Sequence, residues 1–177
     1  MKLAMTGISG SGKDYLVDIL VKEYSYTRVS FSDQLKKLAV KIYPWVEEDY
    51  PAWDKEEPLN LTLSSGEYIS KSPREIWLHL NSLREIEDGL FVRMLEEEVS
   101  KIKGNIVISD IRTENEWNWV NTNGYMSVYV NPMEKLYNPN KFDDFSRSLE
   151  GKTTFHFDNY FDGKDKFRKL LGEIIEK

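Results

Sequence analysis

The feature that most constrains the fold is a glycine-rich turn close to the start of the chain. Residues 7–14 read Gly-Ile-Ser-Gly-Ser-Gly-Lys-Asp and match the pattern G-x-x-x-x-G-K. Apolar residues 3–6 precede the turn, and Leu16, Ile19 and Leu20 follow it at helical spacing. The sequence therefore predicts a buried strand, a tight turn and a helix, which together form half of an α/β unit.

A turn of this kind can bind phosphate. Glycines leave the backbone N–H groups open to phosphate oxygens, and the following helix N-terminus adds a favourable partial charge. A glycine-rich turn with a surface lysine is the alternative, and the flanking strand and helix disfavour it. Asp14 stands where Ser or Thr is usual, and it would either hold Mg²⁺ or stabilise the helix dipole. The expected phosphate-binding residues are Gly7, Ser9, Gly10, Ser11, Gly12 and Lys13.

The rest of the chain alternates between strand and helix patterns. We expect strands at 26–31, 105–109, 126–130 and 153–157, and helices at 33–42, from 72, from 88 to 104, from 113 and at the C-terminus. The spacing of Ser72 and Glu75, and of Thr113 and Glu116, is that of a capping box. The 177 residues therefore predict a single α/β domain with a parallel, helix-covered sheet.

The net charge narrows the range of partners. Lys and Arg number 24 against 30 Asp and Glu, a formal net charge of −6, which argues against a nucleic-acid polymer. Residues 44–58 contain six acids and one lysine, so most of the acidity lies in one segment and does not argue against a mononucleotide. The chain has no cysteine and no apolar run that would span a membrane. We therefore expect a cytoplasmic protein that binds neither membranes nor nucleic-acid polymers.

Asp110 follows the most apolar of the later runs. The carboxyl ends of parallel strands line the ligand crevice of such folds, so Asp110 would bind Mg²⁺ or accept a proton. Arg112 comes next and would either clamp a phosphate or pair with Glu114 or Glu116 on the surface.

Further cations and a tryptophan suit an acceptor site. Arg74 and Arg84 can bind phosphate through a planar fork. Trp77, three residues after Arg74, would stack on a base or pack in the core. Arg147 lies in a polar segment with Lys135 and Lys141, and this segment would act as a lid or carry solvated charge.

Taken together, these residues resemble those of the bacteriophage deoxynucleoside monophosphate kinases, a branch of the P-loop nucleoside monophosphate kinases. The match runs in order over most of the chain. Its landmarks are residues 11–14, 31–36, 72–75, 108–112 with Glu116, and 159–163. The resemblance implies a three-layer P-loop kinase fold with a parallel central sheet, a helical monophosphate-binding region and a lid. It also implies ATP-dependent phosphorylation of deoxynucleoside monophosphates to diphosphates with Mg²⁺, in the host cytoplasm if the protein is phage-encoded.

The resemblance divides the chain into a core of about 1–43 and 104–177, an acceptor-binding insertion of about 44–103 and a lid of about 131–152. It implies that Asn159 and the glycine-rich turn hold ATP, and that Asp14 and Asp110 hold the metal. The implied catalytic residues are Lys13, Asp110, Arg112 and Arg147. The implied substrate-binding residues are Asp33, Lys36, Arg74, Trp77, Arg84 and Arg112.

Two other functions remain open at this point, and so does a homodimer. One is a P-loop kinase of a different small metabolite, of the dephospho-coenzyme A or gluconate type. The other is a nucleotide-binding switch with little turnover.

Overall fold

The computed structural model describes residues 1–51, 54–133 and 143–175. No helix in these ranges combines the length and apolarity needed to cross a membrane. The strands and helices are, in chain order, β1 (Lys2–Thr6), α1 (Lys13–Tyr24), β2 (Tyr26–Val29), α2 (Phe31–Ile42), β3 (Leu61–Thr62), β4 (Tyr68–Ile69), α3 (Pro73–Leu80), α4 (Leu90–Val99), β5 (Asn105–Ile108), α5 (Glu114–Thr122), β6 (Met126–Pro132), α6 (Asp144–Ser148), β7 (Phe155–Asn159) and α7 (Asp165–Ile175).

Five strands form one parallel sheet in the order β2-β5-β1-β6-β7. Leu3 of the central strand β1 lies opposite Val107 of β5 and Met126 of β6. The segments that follow β1 and β5 therefore leave the sheet side by side at the same edge. This confirms the predicted α/β class with a parallel central sheet.

Residues 1–31 and 95–177 form the first of two compact units, and helices cover both faces of its sheet. Side chains of α1 and α7, including Leu20 and Phe167, pack against Leu3 and Met5 of β1. The alternate strand residues face the other way and are buried as well, for example Ala4. Burial on both faces is what a parallel sheet requires.

Residues 32–94 form the second unit. Its core contains Ala39, Val46, Ile76 and Leu80, with several aromatic side chains packed around them. Helix α3 begins with the predicted capping box between Ser72 and Glu75, and β3 and β4 form a small antiparallel hairpin.

All four strands predicted after the glycine-rich turn differ from the prediction at a boundary. Strand β2 ends at Val29 rather than 31 and β5 at Ile108 rather than 109, whereas β6 and β7 each end two residues later than expected. The last strand was expected at 153–157 and runs from Phe155 to Asn159. The backbone N–H groups of Ser127 and Thr154 each donate to the hydroxyl oxygen of the other residue, and such side-chain bonds compete with the ladder at the strand's start. Strand β6 extends to Pro132, which lies opposite Asn159 in β7. As a result Asn159 ends its strand rather than standing in a loop.

Candidate active site

The glycine-rich turn joins β1 to α1 and has the backbone geometry that only glycine adopts easily. Gly7 and Gly12 have φ values of 139° and 90°. A Cβ at Gly7 would lie 2.4 Å from the carbonyl oxygen of Val130, and one at Gly12 would lie 2.3 Å from Asn159 Nδ2. Both conformation and space therefore require glycine at these two positions.

Lys13, the first residue of α1, is buried beneath the turn. Its Nζ donates hydrogen bonds to the carbonyl oxygens of Gly7 at 2.8 Å and Ile8 at 2.7 Å, and to Ser11 Oγ at 3.3 Å. Burial, and after it the charge of Arg112, lower the pKa of Lys13 from its ordinary value to about 8. The ammonium group is thus a poorly hydrated cation, and an anion entering the turn would stabilise its charged form.

Three carboxylates act against this shift, because Asp14, Asp143 and Asp110 all raise the Lys13 pKa. Asp14 is exposed in the first turn of α1. Asp110 is buried after β5, where its Oδ1 accepts a hydrogen bond from the Phe31 N–H at 2.9 Å. The site therefore contains hard oxygen donors of two kinds, one exposed and one buried.

These donors fit Mg²⁺. Magnesium is usually bound by one or two carboxylates together with phosphate oxygens and water, rather than by an all-protein cage. Within residues 1–51, 54–133 and 143–175, no three His, Cys, Asp or Glu side chains form a metal-binding group. Asp14 and Asp110, which both raise the pKa of Lys13, would hold the ion.

Arg112 follows β5 and is positioned through its backbone. Its N–H donates to Glu116 Oε2 at 2.7 Å, and the Thr113 N–H donates to the same oxygen at 3.2 Å. Glu116 is buried and completes the predicted capping box with Thr113. The carboxylate thus holds the turn that carries Arg112, whose exposed side chain acts electrostatically on Lys13.

Asn159 connects the end of β7 to the glycine-rich turn. It is buried, its Nδ2 donates to the Ser11 carbonyl oxygen at 2.9 Å, and its Oδ1 accepts from the Phe161 N–H at 3.0 Å. The Phe161 ring lies 3.3 Å from the position of a Cβ at Gly12. Asn159 therefore contacts the turn directly, and its contact with ATP stays a prediction.

The short helix α6 approaches the turn from the expected lid segment. Ser9 N–H donates to Asp143 Oδ1 at 3.0 Å, and Ser146 Oγ donates to the Ile111 carbonyl oxygen at 3.2 Å. Arg147 is exposed on this helix, whereas Lys135 and Lys141 lie outside the described residues. Sequence reasoning missed Asp143, because an acid before a short helix indicates only a helix start.

The second unit brings three of the expected substrate-binding residues together. Lys36 Nζ lies 3.6 Å from Asp33 and 5.3 Å from the centre of the Trp77 ring. Tyr50 contacts the same indole edge-on, with 6.0 Å between ring centres. Trp77 Nε1 is buried and has no hydrogen-bond partner among the described residues, so the indole both packs in the core and lies beside a cation.

Carboxylates from the acidic segment 44–58 pair with two of the expected phosphate-binding cations. Arg74 lies 2.8 Å from Glu56, and Lys36 lies 3.3 Å from Asp49. Sequence reasoning missed both pairs, since it located the acidic segment but had no signal for its partners. Arg84 has a different environment, with its guanidinium 4.8 Å from the centre of the Phe91 ring.

Comparison with solved structures gives an independent view of the fold. The chain is similar to TT1252 from Thermus thermophilus, with a TM-score of 0.55, 16% identity and coverage of 98% of this chain and 96% of that one. This likeness shows the fold. Shikimate kinase from Bacteroides thetaiotaomicron gives a TM-score of 0.44 at 11% identity, covering 99% of this chain and 98% of that one. Neither a protein-family model nor a curated protein matches the sequence.

Proposed function

We propose that the chain is an ATP-dependent P-loop kinase that phosphorylates deoxynucleoside monophosphates to diphosphates. The observation that carries the proposal is the buried Lys13 ammonium group, held under a turn in which Gly7 and Gly12 have positive φ values. Such a turn presents backbone N–H groups and a cation to the phosphates of a nucleotide.

In the proposed reaction, a phosphate oxygen of the acceptor attacks the terminal phosphorus of ATP, and ADP leaves with the electron pair of the broken P–O bond. The acceptor phosphate is already ionised near neutral pH, so no side chain needs to remove a proton. The protein would position the reactants and stabilise the charge on the transferring group. A bound Mg²⁺ would neutralise part of that charge and would be held by Asp14 and Asp110.

Three cations of the first unit support this role. Lys13 is buried beneath the turn, and Arg112 acts on it electrostatically. Arg147 is on α6, and the residue before this helix, Asp143, accepts the Ser9 N–H. We assign Lys13 and Arg147 to the transferring phosphoryl group, and Arg112 to the acceptor phosphate.

In the second unit, Arg74 and Lys36 are the proposed acceptor-phosphate cations. Both pair with acids of segment 44–58, so each of the two cations already binds an anionic oxygen. The Lys36 ammonium group lies over the Trp77 ring, and the indole supplies an aromatic surface of the kind that stacks on a base.

The identity of the acceptor can be tested with a panel. We expect ADP formation from ATP to depend on one or more of dAMP, dGMP, dCMP and dTMP, with AMP as the ribose comparison. Turnover with dephospho-coenzyme A or gluconate instead would indicate a kinase of another small metabolite. Tight ATP binding without any acceptor-dependent ADP would indicate a nucleotide-binding switch.

Lys13→Ala tests the donor site itself. We expect it to reduce kcat/KM by at least a hundredfold, while Lys22→Ala leaves it unchanged. Lys22 is a matched control because it lies on the same helix and pairs with Asp18 on the surface. Turnover by Lys13→Ala at the wild-type rate would overturn the proposal.

A further inference from the structure

A carboxylate occupies a backbone donor of the proposed phosphate-binding turn. Ser9 N–H donates to Asp143 Oδ1 at 3.0 Å, across 134 positions of the chain. In an anion-binding turn, N–H groups of this kind are the ones offered to phosphate oxygens. The contact shows that the Ser9 N–H can donate to an anionic oxygen.

The environment of Asp143 is unusual for a residue next to a helix start. Only 2% of Asp143 is exposed, and its side chain does not cap α6. Its charge instead acts on Lys13, whose pKa it raises. A buried carboxylate is stable when it is paired and hydrogen-bonded, and here the turn supplies both the N–H donor and the nearby cation.

A phosphate that enters the turn would compete for both of these partners. Two anions would then lie against the Ser9 amide and near the Lys13 ammonium group, and they would repel each other, because burial of Asp143 and Lys13 limits screening by water. Asp143 would have to withdraw or be neutralised by a further cation. Because Asp143 precedes α6, its withdrawal would also disturb the bond between Ser146 and the Ile111 carbonyl oxygen.

We propose that Asp143 determines donor selectivity, because its carboxylate accepts the Ser9 N–H of the turn and disfavours phosphate groups whose charge no metal ion offsets. This inference rests on the proposed nucleotide site and adds to it a residue that selects the charge state of the donor. Binding of the donor would also loosen α6, because Asp143 at the start of this helix and a bound phosphate would both accept the Ser9 N–H.

The test compares nucleotide binding by Asp143→Asn and Asp144→Asn. Both variants remove one carboxylate, but Asp144 is exposed, and the asparagine at 143 keeps an oxygen that can accept the Ser9 N–H. Affinities for ATP in EDTA and for ATP with Mg²⁺ are measured by calorimetry at pH 6.5, well below the Lys13 pKa of about 8. For Asp143→Asn we expect metal-free ATP to bind at least tenfold more tightly, and the preference for the metal complex to shrink at least fivefold. Asp144→Asn is expected to stay within twofold of wild type.

Three results distinguish the possible failures. If Asp143→Asn binds metal-free ATP no more tightly than Asp144→Asn does, the selectivity role is wrong. If wild-type protein binds ATP neither with nor without Mg²⁺, the proposed function is wrong. Hydrogen exchange of the wild-type protein is a test that needs no variant. Peptides covering α6 should exchange faster when ATP is bound. Unchanged exchange would show that phosphate and Asp143 do not compete for the Ser9 N–H.

Discussion

The side-chain nitrogen of Asn159 donates a hydrogen bond to the carbonyl oxygen of Ser11 at 2.9 Å, across 148 positions of the chain. The same nitrogen would lie 2.3 Å from a Cβ at Gly12. The end of β7 therefore closes one side of the turn, and the turn can keep this neighbour only while position 12 lacks a side chain.

Gly12→Ala should accordingly damage the site. Alanine would meet Asn159, whose amide is held at both ends by Ser11 and Phe161, and it would have to adopt a φ near 90°. We expect a loss of roughly 2 kcal/mol or more in the free energy of unfolding and at least a tenfold loss of ATP affinity. Chemical denaturation and calorimetry measure the two quantities.

The matched control for this change is Gly172→Ala. Gly172 lies in α7, and a Cβ there would meet no atom within 4 Å. Alanine favours helix over glycine by about 0.5–1 kcal/mol, so this variant should be as stable as wild type or slightly more stable. A Gly12→Ala protein that binds ATP as tightly as Gly172→Ala would show that the turn is not the nucleotide site.

Donor binding should weaken as the pH rises through 8. The pKa of Lys13 is about 8 in the free protein, chiefly because of burial and then Arg112, with Asp14, Asp143 and Asp110 acting in the opposite direction. A bound phosphate favours the charged form and raises this pKa, so binding takes up a proton above pH 8. The affinity for ADP should be level between pH 7 and 7.5 and fall by up to tenfold per unit above pH 8.

Isothermal titrations from pH 7 to 9.5 measure this dependence. Lys13→Gln provides the comparison, because it keeps polar atoms at the position but has no charge to lose. Its weaker affinity should stay level over the same range. Equal slopes for the two proteins would assign the pH dependence to another group.

Local signals and long-range contacts explain what the sequence could and could not predict. The turn at 7–13 and the capping boxes at Ser72 and Thr113 depend on residues a few positions apart, and the structure confirms both boxes. The pairing of Asp143 with Ser9 has no local signal, since its partners meet only through the fold. For the same reason the charge of segment 44–58 could be counted, but its bonds to Arg74 and Lys36 could not be predicted.

Glu116 should contribute more to stability than its counterpart Glu75. Both complete capping boxes, but Glu116 is 1% exposed and accepts from the N–H groups of both Arg112 and Thr113. Glu116→Ala would remove a buried carboxylate and leave two part-buried N–H groups without this acceptor, at a cost of about 2–3 kcal/mol. We expect its Tm to fall by roughly 5–10 °C.

Thermal unfolding followed by circular dichroism measures this difference. Glu75 carries a half-exposed side chain, so water can replace its bonds, and Glu75→Ala should lower the Tm less. Glu116→Gln keeps an oxygen acceptor and should recover part of the loss. If the two alanine variants unfolded at the same temperature, burial would not be the reason for the contribution of Glu116.

The ion pair between Arg74 and Glu56 should compete with the acceptor phosphate. The two side chains are 2.8 Å apart and partly exposed, at 40% and 53%, so the pair is weak and can exchange its carboxylate for a ligand anion. Glu56→Gln should therefore lower the KM for the best monophosphate by roughly two- to fivefold, whereas Arg74→Ala should raise it at least tenfold. Initial rates at saturating ATP give both values.

The pair of Arg93 and Glu87, 2.7 Å apart and similarly exposed, supplies the controls Glu87→Gln and Arg93→Ala, for which KM should not change. If Arg74→Ala and Arg93→Ala had equal effects on KM, Arg74 would have no specific part in acceptor binding, and the acidic segment would pair with it only as one surface charge with another.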